Sequence, residues 1–374
     1  MDYFGKDVPK LGFGFMRLPK NNGVIDIEQV KKMVDIFMDA GLTYFDTAYV
    51  YDNGLSEKAL KESLIDRYPR DRFTICTKIN AWMQCHDEAS AKQQFYTSLE
   101  RTGAGYFDYY LLHAVQRSNI QKYDDYHLWD FVREQKEKGL IKHYGFSFHD
   151  SPEFLDELLT KHPDVDFIQL QLNYADWEHP SIASRANYEV ARRHGKSITV
   201  MEPVKGGILA NPPEKIRSLM RAADPDMSYA SWAIRYVASL PGIITVLSGM
   251  SNIAQVEDNV SYMKSFTPLT EKEQEVISEA QRILREEKTI ACTACHYCTD
   301  GCPMNIPIPE IFATRNKLTL FENKEATTRE YQGRTRDKGK ASDCIHCLQC
   351  EGACPQHLPI TSLLEECAST FEDA

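Results

Sequence analysis

Short β-rich runs alternate strictly with amphipathic helical stretches up to about residue 265, and nine of eleven cysteines gather between Cys292 and Cys367. Together these predict an α/β chain in two parts: a closed (β/α)₈ TIM barrel, then a small, mostly helical module whose cysteines ask for a metal. The length of 374 residues suits the division, because such barrels take roughly 250 residues. Alternating strands and helices argue for a parallel sheet, since parallel neighbours need a crossover connection. An open doubly wound sheet is the alternative, and it normally carries a Gly-rich dinucleotide turn after its first strand. The chain holds no G-x-G-x-x-G, and neither Gly5 nor the Gly12/Gly14 pair fits that spacing.

Seven strands are read directly: Tyr44–Ala48, Phe73–Ile79, Phe107–His113, His143–Phe148, Phe167–Asn173, Ile198–Pro203 and Ile243–Ser248. Phe266–Leu269 is the candidate eighth, and Leu11–Leu18 is expected to form a hairpin capping the barrel bottom. Helical patterns fall at Ile27–Ala40, Glu88–Arg101, Trp129–Lys138, Pro152–Leu159 and Arg185–His194. Gly41, Gly103, Gly139 and Gly195 follow such stretches as left-handed caps. Thr270–Lys288 is a polar, Glu-rich amphipathic helix, and a charged helical stretch runs over Pro309–Arg336. The expected division is 1–268 for the barrel, 269–290 for a connecting helix and 291–374 for the cysteine module.

Lys and Arg total 43 against 54 Asp and Glu, a formal charge of −11. That sign disfavours a nucleic-acid or anionic-membrane binder, both of which need a basic face. Met1–Lys6 lacks a charged region followed by an apolar one, so no secretory signal is read there. No apolar run approaches the ~20 residues of a membrane span. The expectation is a cytoplasmic protein.

Cys292-x₂-Cys295-x₂-Cys298-x₃-Cys302-Pro303 recurs as Cys344-x₂-Cys347-x₂-Cys350-x₃-Cys354-Pro355. The first three cysteines of each run lie on a tight loop suited to three corners of a cubane, while the fourth, before proline, points elsewhere. Two zinc sites are the alternative, but zinc prefers two CxxC pairs or Cys/His mixtures closing one tetrahedron. The duplicated run therefore reads as two [4Fe–4S] clusters. The region resembles bacterial-type two-cluster ferredoxin domains. That resemblance implies Cys292, Cys295, Cys298 and Cys354 around one cluster, and Cys344, Cys347, Cys350 and Cys302 around the other. The long helix-prone insert, with Ile311–Leu318 and Lys324–Tyr331, is more similar to the α-helical two-cluster ferredoxins of electron-transfer subunits. His296 and His346 occupy no ligand position, and Cys367 reads as a plain thiol.

Polar residues at the C-terminal ends of barrel strands line the active site of this fold. Those positions carry Asp46, Lys78 and His113, with Tyr51 in the loop beyond Asp46. Reducing a carbonyl by hydride requires a proton for the developing alkoxide. A tyrosine supplies it when a nearby ammonium lowers its ordinary pKa of ~10. Lys78 is that ammonium in this reading, Asp46 holds it, and His113 orients the carbonyl oxygen or relays the proton.

Phe45-Asp46-Thr47-Ala48-Tyr49-Val50-Tyr51 with Gly54-Leu55-Ser56-Glu57, Thr77-Lys78 and Tyr109–His113 resembles the aldo-keto reductase signature. Gly145-Phe146-Ser147, Gln169 and Asn173 match its later strand ends. The resemblance implies a nicotinamide dinucleotide at the barrel mouth, with Ser147 and Gln169 on its carboxamide. Met201 stands where an aromatic often stacks on the ring, and His149 falls near the Asn often found after the family's carboxamide serine. The phosphates are expected around Ser248 and Gly249 with Gln255 and Asn259. No basic residue lies between Ser248 and Asn259, so NAD or NADP stays open. Cys85, with Trp82, Met83 and His86, lies on the loop after the Lys78 strand, as pocket lining or an incidental thiol. Cys76 points into the barrel.

Hydride carries two electrons, whereas each cluster passes one. Three readings account for the fusion. The barrel binds a small carbonyl or alcohol substrate and a nicotinamide while the clusters exchange electrons with a carrier such as a ferredoxin or flavodoxin, a flavin being a possible splitter. Alternatively the chain is an ordinary NAD(P)H carbonyl reductase with structural or redox-sensing clusters. The third reading is an electron-transfer module on a non-catalytic barrel.

Overall fold

The computed structural model describes residues 3–372 apart from 181, 287, 288 and 322. The chain forms two compact units, Met1–Pro203 with Ala230–Thr270, and Val204–Tyr229 with Glu271–Ala374.

The first unit is built on eight strands: β1 (Leu11–Gly14), β2 (Tyr44–Asp46), β3 (Thr74–Ile79), β4 (Phe107–Val115), β5 (Ile141–Phe148), β6 (Phe167–Gln171), β7 (Ser197–Met201) and β8 (Ile243–Ser248). Each pairs in parallel with its sequence neighbour, and β1 pairs with both β2 and β8, which closes the barrel. The near-continuous burial of these strands is what a parallel sheet covered by helices requires. Gly145 makes the β5–β6 approach possible, because a Cβ there would come 1.9 Å from the Phe167 carbonyl oxygen.

Two expectations are corrected here. Leu11–Leu18 is not a capping hairpin: Leu11–Gly14 is the first barrel strand, and the small hairpin pairs Lys20–Asn21 with Val24–Ile25. Phe266–Leu269 is not a strand. Pro268 has no N–H for a ladder, and the Thr267 carbonyl instead accepts from Arg235 Nε at 3.4 Å. The N-terminal end of the barrel is filled by Phe4 and Val8 packing on Tyr44, Cys76, Tyr109, Leu111, Phe167, Ile244 and Leu247.

The helices start where their caps dictate. Asp26 accepts the Gln29 N–H before Ile27–Asp39, Asp87 and Ser90 form a capping box on Glu88–Thr102, and Ser151 caps Pro152–Lys161. The four glycines expected as left-handed caps all have positive φ. Further helices span Leu128–Glu137, Ser184–Arg193 and Ile253–Met263.

In the second unit Glu271–Glu286 is helical and packs on the helix Glu214–Ala223. The stretch read as one charged helical region is two helices, Ile308–Phe321 and Lys324–Thr335, the second capped by Asn323, which accepts the Ala326 N–H at 3.0 Å. With Ile360–Phe371 they enclose a core of Ile306, Ile308, Phe312, Tyr331, Leu364 and the fully buried Cys367. Tyr331 and Phe371 stack with centroids 5.0 Å apart. Among the described residues no helix is long and apolar enough to cross a membrane.

Candidate active site and cluster sites

Parallel strands of a closed barrel end on one rim, so residues distant in sequence meet there. Lys78 Nζ donates to Asp46 Oδ1 and to the Thr47 carbonyl, both at 2.6 Å. Neither partner reaches water: Lys78 is 0% exposed and Asp46 3%. Nζ lies 4.9 Å from the centroid of the Tyr51 ring, whose edge meets the His113 imidazole at 5.6 Å. The structure thus brings Asp46, Tyr51, Lys78 and His113 together. Burial raises the Asp46 carboxyl, with the Lys78 charge opposing it. Burial also pushes the His113 imidazole well below its usual range, reinforced by Lys78 and His149, so the ring is neutral at neutral pH.

Local backbone devices aim these groups. Asp52, Asn53 and Gly54 all have positive φ in the turn carrying Tyr51, a run that Asp, Asn and Gly tolerate best. A Cβ on Gly54 would meet the Arg101 guanidinium at 2.5 Å. Near His113 the β4–β5 register shifts between Leu112 and Val115, with Ala114 at φ 51. This irregularity frees the Ala114 N–H from the ladder, and it donates to Ser147 Oγ at 2.7 Å. The His113 carbonyl accepts from Trp82 Nε1 at 3.3 Å and from the Tyr123 hydroxyl.

Ser147 and Gln169 are register partners on β5 and β6. Because Ser147 Oγ accepts one hydrogen bond, its own proton can be donated outward. Gln169 Nε2 reaches Met201 Sδ at 3.6 Å, while Gln169 Oε1 is buried with no hydrogen-bond partner among the described residues. A donor hydroxyl and an orphaned carbonyl oxygen on adjacent strands complement a carboxamide. The residues present therefore fit a nicotinamide. Met201 ends β7 and is partly exposed.

Past β8 the candidates separate. Asn259 is turned inward: its Nδ2 donates to Ser248 Oγ at 2.8 Å, and its Oδ1 accepts the Tyr262 hydroxyl at 2.6 Å. Gln255 Oε1 accepts the Ser251 N–H at 2.7 Å. Gly249 lies against Arg17, whose Cδ would be 3.3 Å from a Cβ at that position. Arg17 itself pairs with Glu202 at 3.4 Å, and its carbonyl accepts from Ser251 Oγ at 2.8 Å.

Arg17 is the residue that sequence reasoning misses. The signal was topological: β1 neighbours β8, so the residues just beyond each share the rim. Two more are Glu57 and Arg101. Buried Glu57 accepts from Thr77 Oγ1 at 2.8 Å and from Arg101 Nη1 at 3.2 Å, and Arg101 also donates to the Tyr49 carbonyl at 3.0 Å. They tie the loop of Tyr51 to the strand of Lys78. Cys85 is buried, with its thiol on the Asn80 carbonyl at 3.7 Å, and Cys76 lies inside the barrel.

The two cysteine runs repeat in backbone as well as in sequence. Ala294, His296 and Asn305 have positive φ in the first, and the corresponding His346, Leu348 and His357 have it in the second. One cavity is lined by Cys292, Cys295, Cys298 and Cys354, the other by Cys344, Cys347, Cys350 and Cys302. The fourth cysteine of each run thus crosses to the other set. Burial raises the Cys298 thiol strongly, with Cys295, Cys292 and Cys354 adding to the effect. Among the described residues no group of three His, Cys, Asp or Glu converges as ligands of one ion do. Four thiols around each cavity fit a [4Fe–4S] cubane, which takes one thiolate at each iron. His296 and His346 are exposed.

Barrel and thiol unit together define a redox enzyme of two parts. Residues 10–282 match the aldo/keto reductase family and residues 291–358 the 4Fe-4S dicluster domain. The chain belongs to the aldo/keto reductase family, as an oxidoreductase with a dicluster domain after the barrel. It is 25% identical to the uncharacterized oxidoreductase YqkF of Bacillus subtilis, over 71% of this chain and 90% of that one. L-galactose dehydrogenase of Arabidopsis thaliana is 23% identical, over 76% of this chain and 93% of the relative. Among solved structures, the holo form of aldo-keto reductase AKR11C1 from Bacillus halodurans matches with a TM-score of 0.60 and 26% identity, over 75% of this chain and 95% of its own. An aldo-keto reductase from Klebsiella pneumoniae in complex with NADPH shares the fold with a TM-score of 0.59 at 20% identity, over 74% of this chain and 91% of its own.

Proposed function

We propose that this chain reduces a small carbonyl compound, or oxidises the corresponding alcohol, with a nicotinamide cofactor, and that its clusters exchange electrons with a carrier. The observation that carries the barrel's part is the buried Lys78–Asp46 pair facing the Tyr51 ring. A bound nicotinamide supplies the hydride. Tyr51 gives its hydroxyl proton to the alkoxide oxygen as charge develops there. Lys78 stabilises the negative charge left on the phenol oxygen, and Asp46 keeps the ammonium in place in a site without water to screen it. Neutral His113 orients the substrate oxygen by a hydrogen bond. Ser147 and Gln169 hold the carboxamide, and Arg17, exchanging Glu202 for a phosphate, favours NADPH over NADH. Cys292, Cys295, Cys298 and Cys354 would hold one cluster, and Cys302, Cys344, Cys347 and Cys350 the other; each cluster passes one electron at a time.

The test is anaerobic addition of NADH or NADPH while the clusters' visible absorbance and EPR signal are followed. Bleaching by NADPH supports one electron path through both parts, and a flavin spectrum alongside identifies the two-electron to one-electron splitter. If carbonyl reduction proceeds while the clusters respond only to dithionite, the chain is an NAD(P)H carbonyl reductase with structural or sensing clusters. The second reading is kept because the tetrad at the rim needs no iron.

A further inference from the structure

Tyr51 sits on a backbone that needs outside support. The turn carrying it runs through Asp52 at φ 50, Asn53 at φ 53 and Gly54 at φ 84. Residues with a side chain keep such a conformation only where their surroundings impose it. The two ends of the segment are joined by Thr47 Oγ1 and Ser56 Oγ, hydrogen-bonded at 2.7 Å, and Ser56 Oγ donates to the Phe15 carbonyl at 3.0 Å. On the solvent side Lys20 Nζ donates to Asp52 Oδ1 at 2.9 Å and Gln84 Nε2 to Asn53 Oδ1 at 3.4 Å. Both bonds are exposed, and exposed pairs hold little.

On the inner side the turn meets Arg101, from the helix Glu88–Thr102. Arg101 Nη1 donates to the Tyr49 carbonyl at 3.0 Å and to Glu57 Oε2 at 3.2 Å. Its guanidinium carbon lies over the Tyr49 ring, 4.3 Å from the centroid, and fills the space that a Cβ on Gly54 would take. One guanidinium thus grips the chain two residues before Tyr51, three after and six after. Both polar partners lead back to β3. The Tyr49 N–H donates to the Lys78 carbonyl at 3.2 Å, and Thr77 Oγ1 donates to Glu57 Oε1 at 2.8 Å. Glu57 is buried, and burial raises its carboxyl against the opposing pull of Ser98, Thr77 and Arg101. A buried ion pair gains little stability over apolar side chains of the same volume. What this pair supplies is a fixed position.

We infer that Arg101, seated on Glu57, is a positioning residue for the reaction: it holds Tyr51 close enough to Lys78 for the ammonium to make the phenol an acid. This rests on the proposed role of Tyr51 as proton donor. Lys78 Nζ is 4.9 Å from the centroid of the Tyr51 ring, and their interaction falls with distance in a site that water does not screen. The other titratable groups around the ring contribute less. His113 is neutral, Asp46 is paired with Lys78, and Asp52 is paired with Lys20. Lys78 is thus the charge that sets the phenol's acidity, and the turn sets its distance. Arg101 acts through Tyr51, not on the substrate.

Arg101→Met alone would leave Glu57 as an uncompensated buried charge. The test therefore uses Arg101→Met combined with Glu57→Gln, and separately Arg101→Lys, which keeps a cation for Glu57. In the cluster-loaded full chain, phenolate absorbance is titrated between about pH 6 and 10.5, with Tyr51→Phe as the reference. Reduction of benzaldehyde by NADPH is followed over the same range. The wild type is expected to show a phenol titrating below the ordinary ~10 that Tyr51→Phe lacks. In the double variant that step should move up toward ~10. Because reduction uses the protonated phenol, the pH at which activity is lost should rise with it. Turnover should fall about 10²-fold, the scale of a ~1 Å misplacement, with NADPH affinity and melting midpoint near the wild type. Arg101→Lys should show the same changes at smaller size. A merely structural role would lower the midpoint and leave the titration step in place. If both variants titrate and turn over as the wild type does, or if turnover falls while the step stays, the inference is overturned and the proton-donor reading stands. If Tyr51→Phe removes no titrating step and turns over as the wild type does, that reading falls and takes the inference with it.

Discussion

Replacing Lys78 with methionine removes the cation from a pair that solvent does not screen, since Lys78 is 0% and Asp46 3% exposed. Breaking a buried pair on one side costs about 3–5 kcal/mol, because the remaining charge has neither water nor partner. At roughly 2–4 °C per kcal/mol for a unit of this size, the barrel's melting midpoint should fall by roughly 6–20 °C. The deficit should depend on pH. Burial already raises the Asp46 carboxyl and Lys78 opposes it, so without Lys78 the native state keeps a proton that the unfolded chain releases above its ordinary carboxylate pKa. The variant's stability is therefore lost as pH rises through that interval and regained as pH falls. Adding Asp46→Asn to Lys78→Met should restore most of the midpoint without restoring turnover. Thermal melts by tryptophan fluorescence at pH 5 and pH 8, together with carbonyl-dependent NADPH oxidation, separate the two effects. A Lys78→Met protein that melts with the wild type at both pH values, or that Asp46→Asn fails to rescue, would refute the reasoning.

Tyr51→Phe should lower kcat on the order of 10²–10⁴ with cofactor binding unchanged, as checked by steady-state kinetics and nucleotide fluorescence titration. Arg17→Met should raise KM for NADPH by roughly tenfold or more while leaving NADH little affected, because only the former carries the extra phosphate. Burial lowers the His162 imidazole to about 4, so its contribution to stability is present above the unfolded value near 6.5 and lost as pH falls from there. That single group should cost the native state about 2 kcal/mol between pH 7 and pH 5. His162→Gln should flatten the corresponding part of the stability profile measured by urea denaturation.

The positions of Asp46, Lys78 and His113 are legible because each is a polar residue at or near the C-terminal end of an otherwise apolar β-rich run, although the strands are buried almost throughout and show no alternation. The thiol sets are legible because a loop motif with fixed spacing carries its chemistry in consecutive residues. Leu11–Gly14 is not, since four residues with two glycines display no period, although all four are buried. That gap hides Arg17, whose proximity to Gly249 exists only once β1 is placed beside β8. Asn259 shows a different limit: its side chain bonds to Ser248 and Tyr262, and nothing in sequence spacing reveals which way a helix presents an amide.

The chain enters its second unit twice, first at Val204–Tyr229 and again from Glu271. In that unit Gly206 lies so close to the loop of the first thiol set that a Cβ on it would sit 2.7 Å from the Thr293 carbonyl oxygen, and the helix Glu214–Ala223 rests on Glu271–Glu286. The thiol unit is therefore not a bead that gene truncation can remove from the end of the chain. A protein cut before Cys292 would keep Val204–Ala210, the stretch directly after β7, but strip it of the loop it packs against. Comparing the protein with and without its clusters calls for point changes at the cysteines, because a shortened chain would leave part of the second unit behind without its packing.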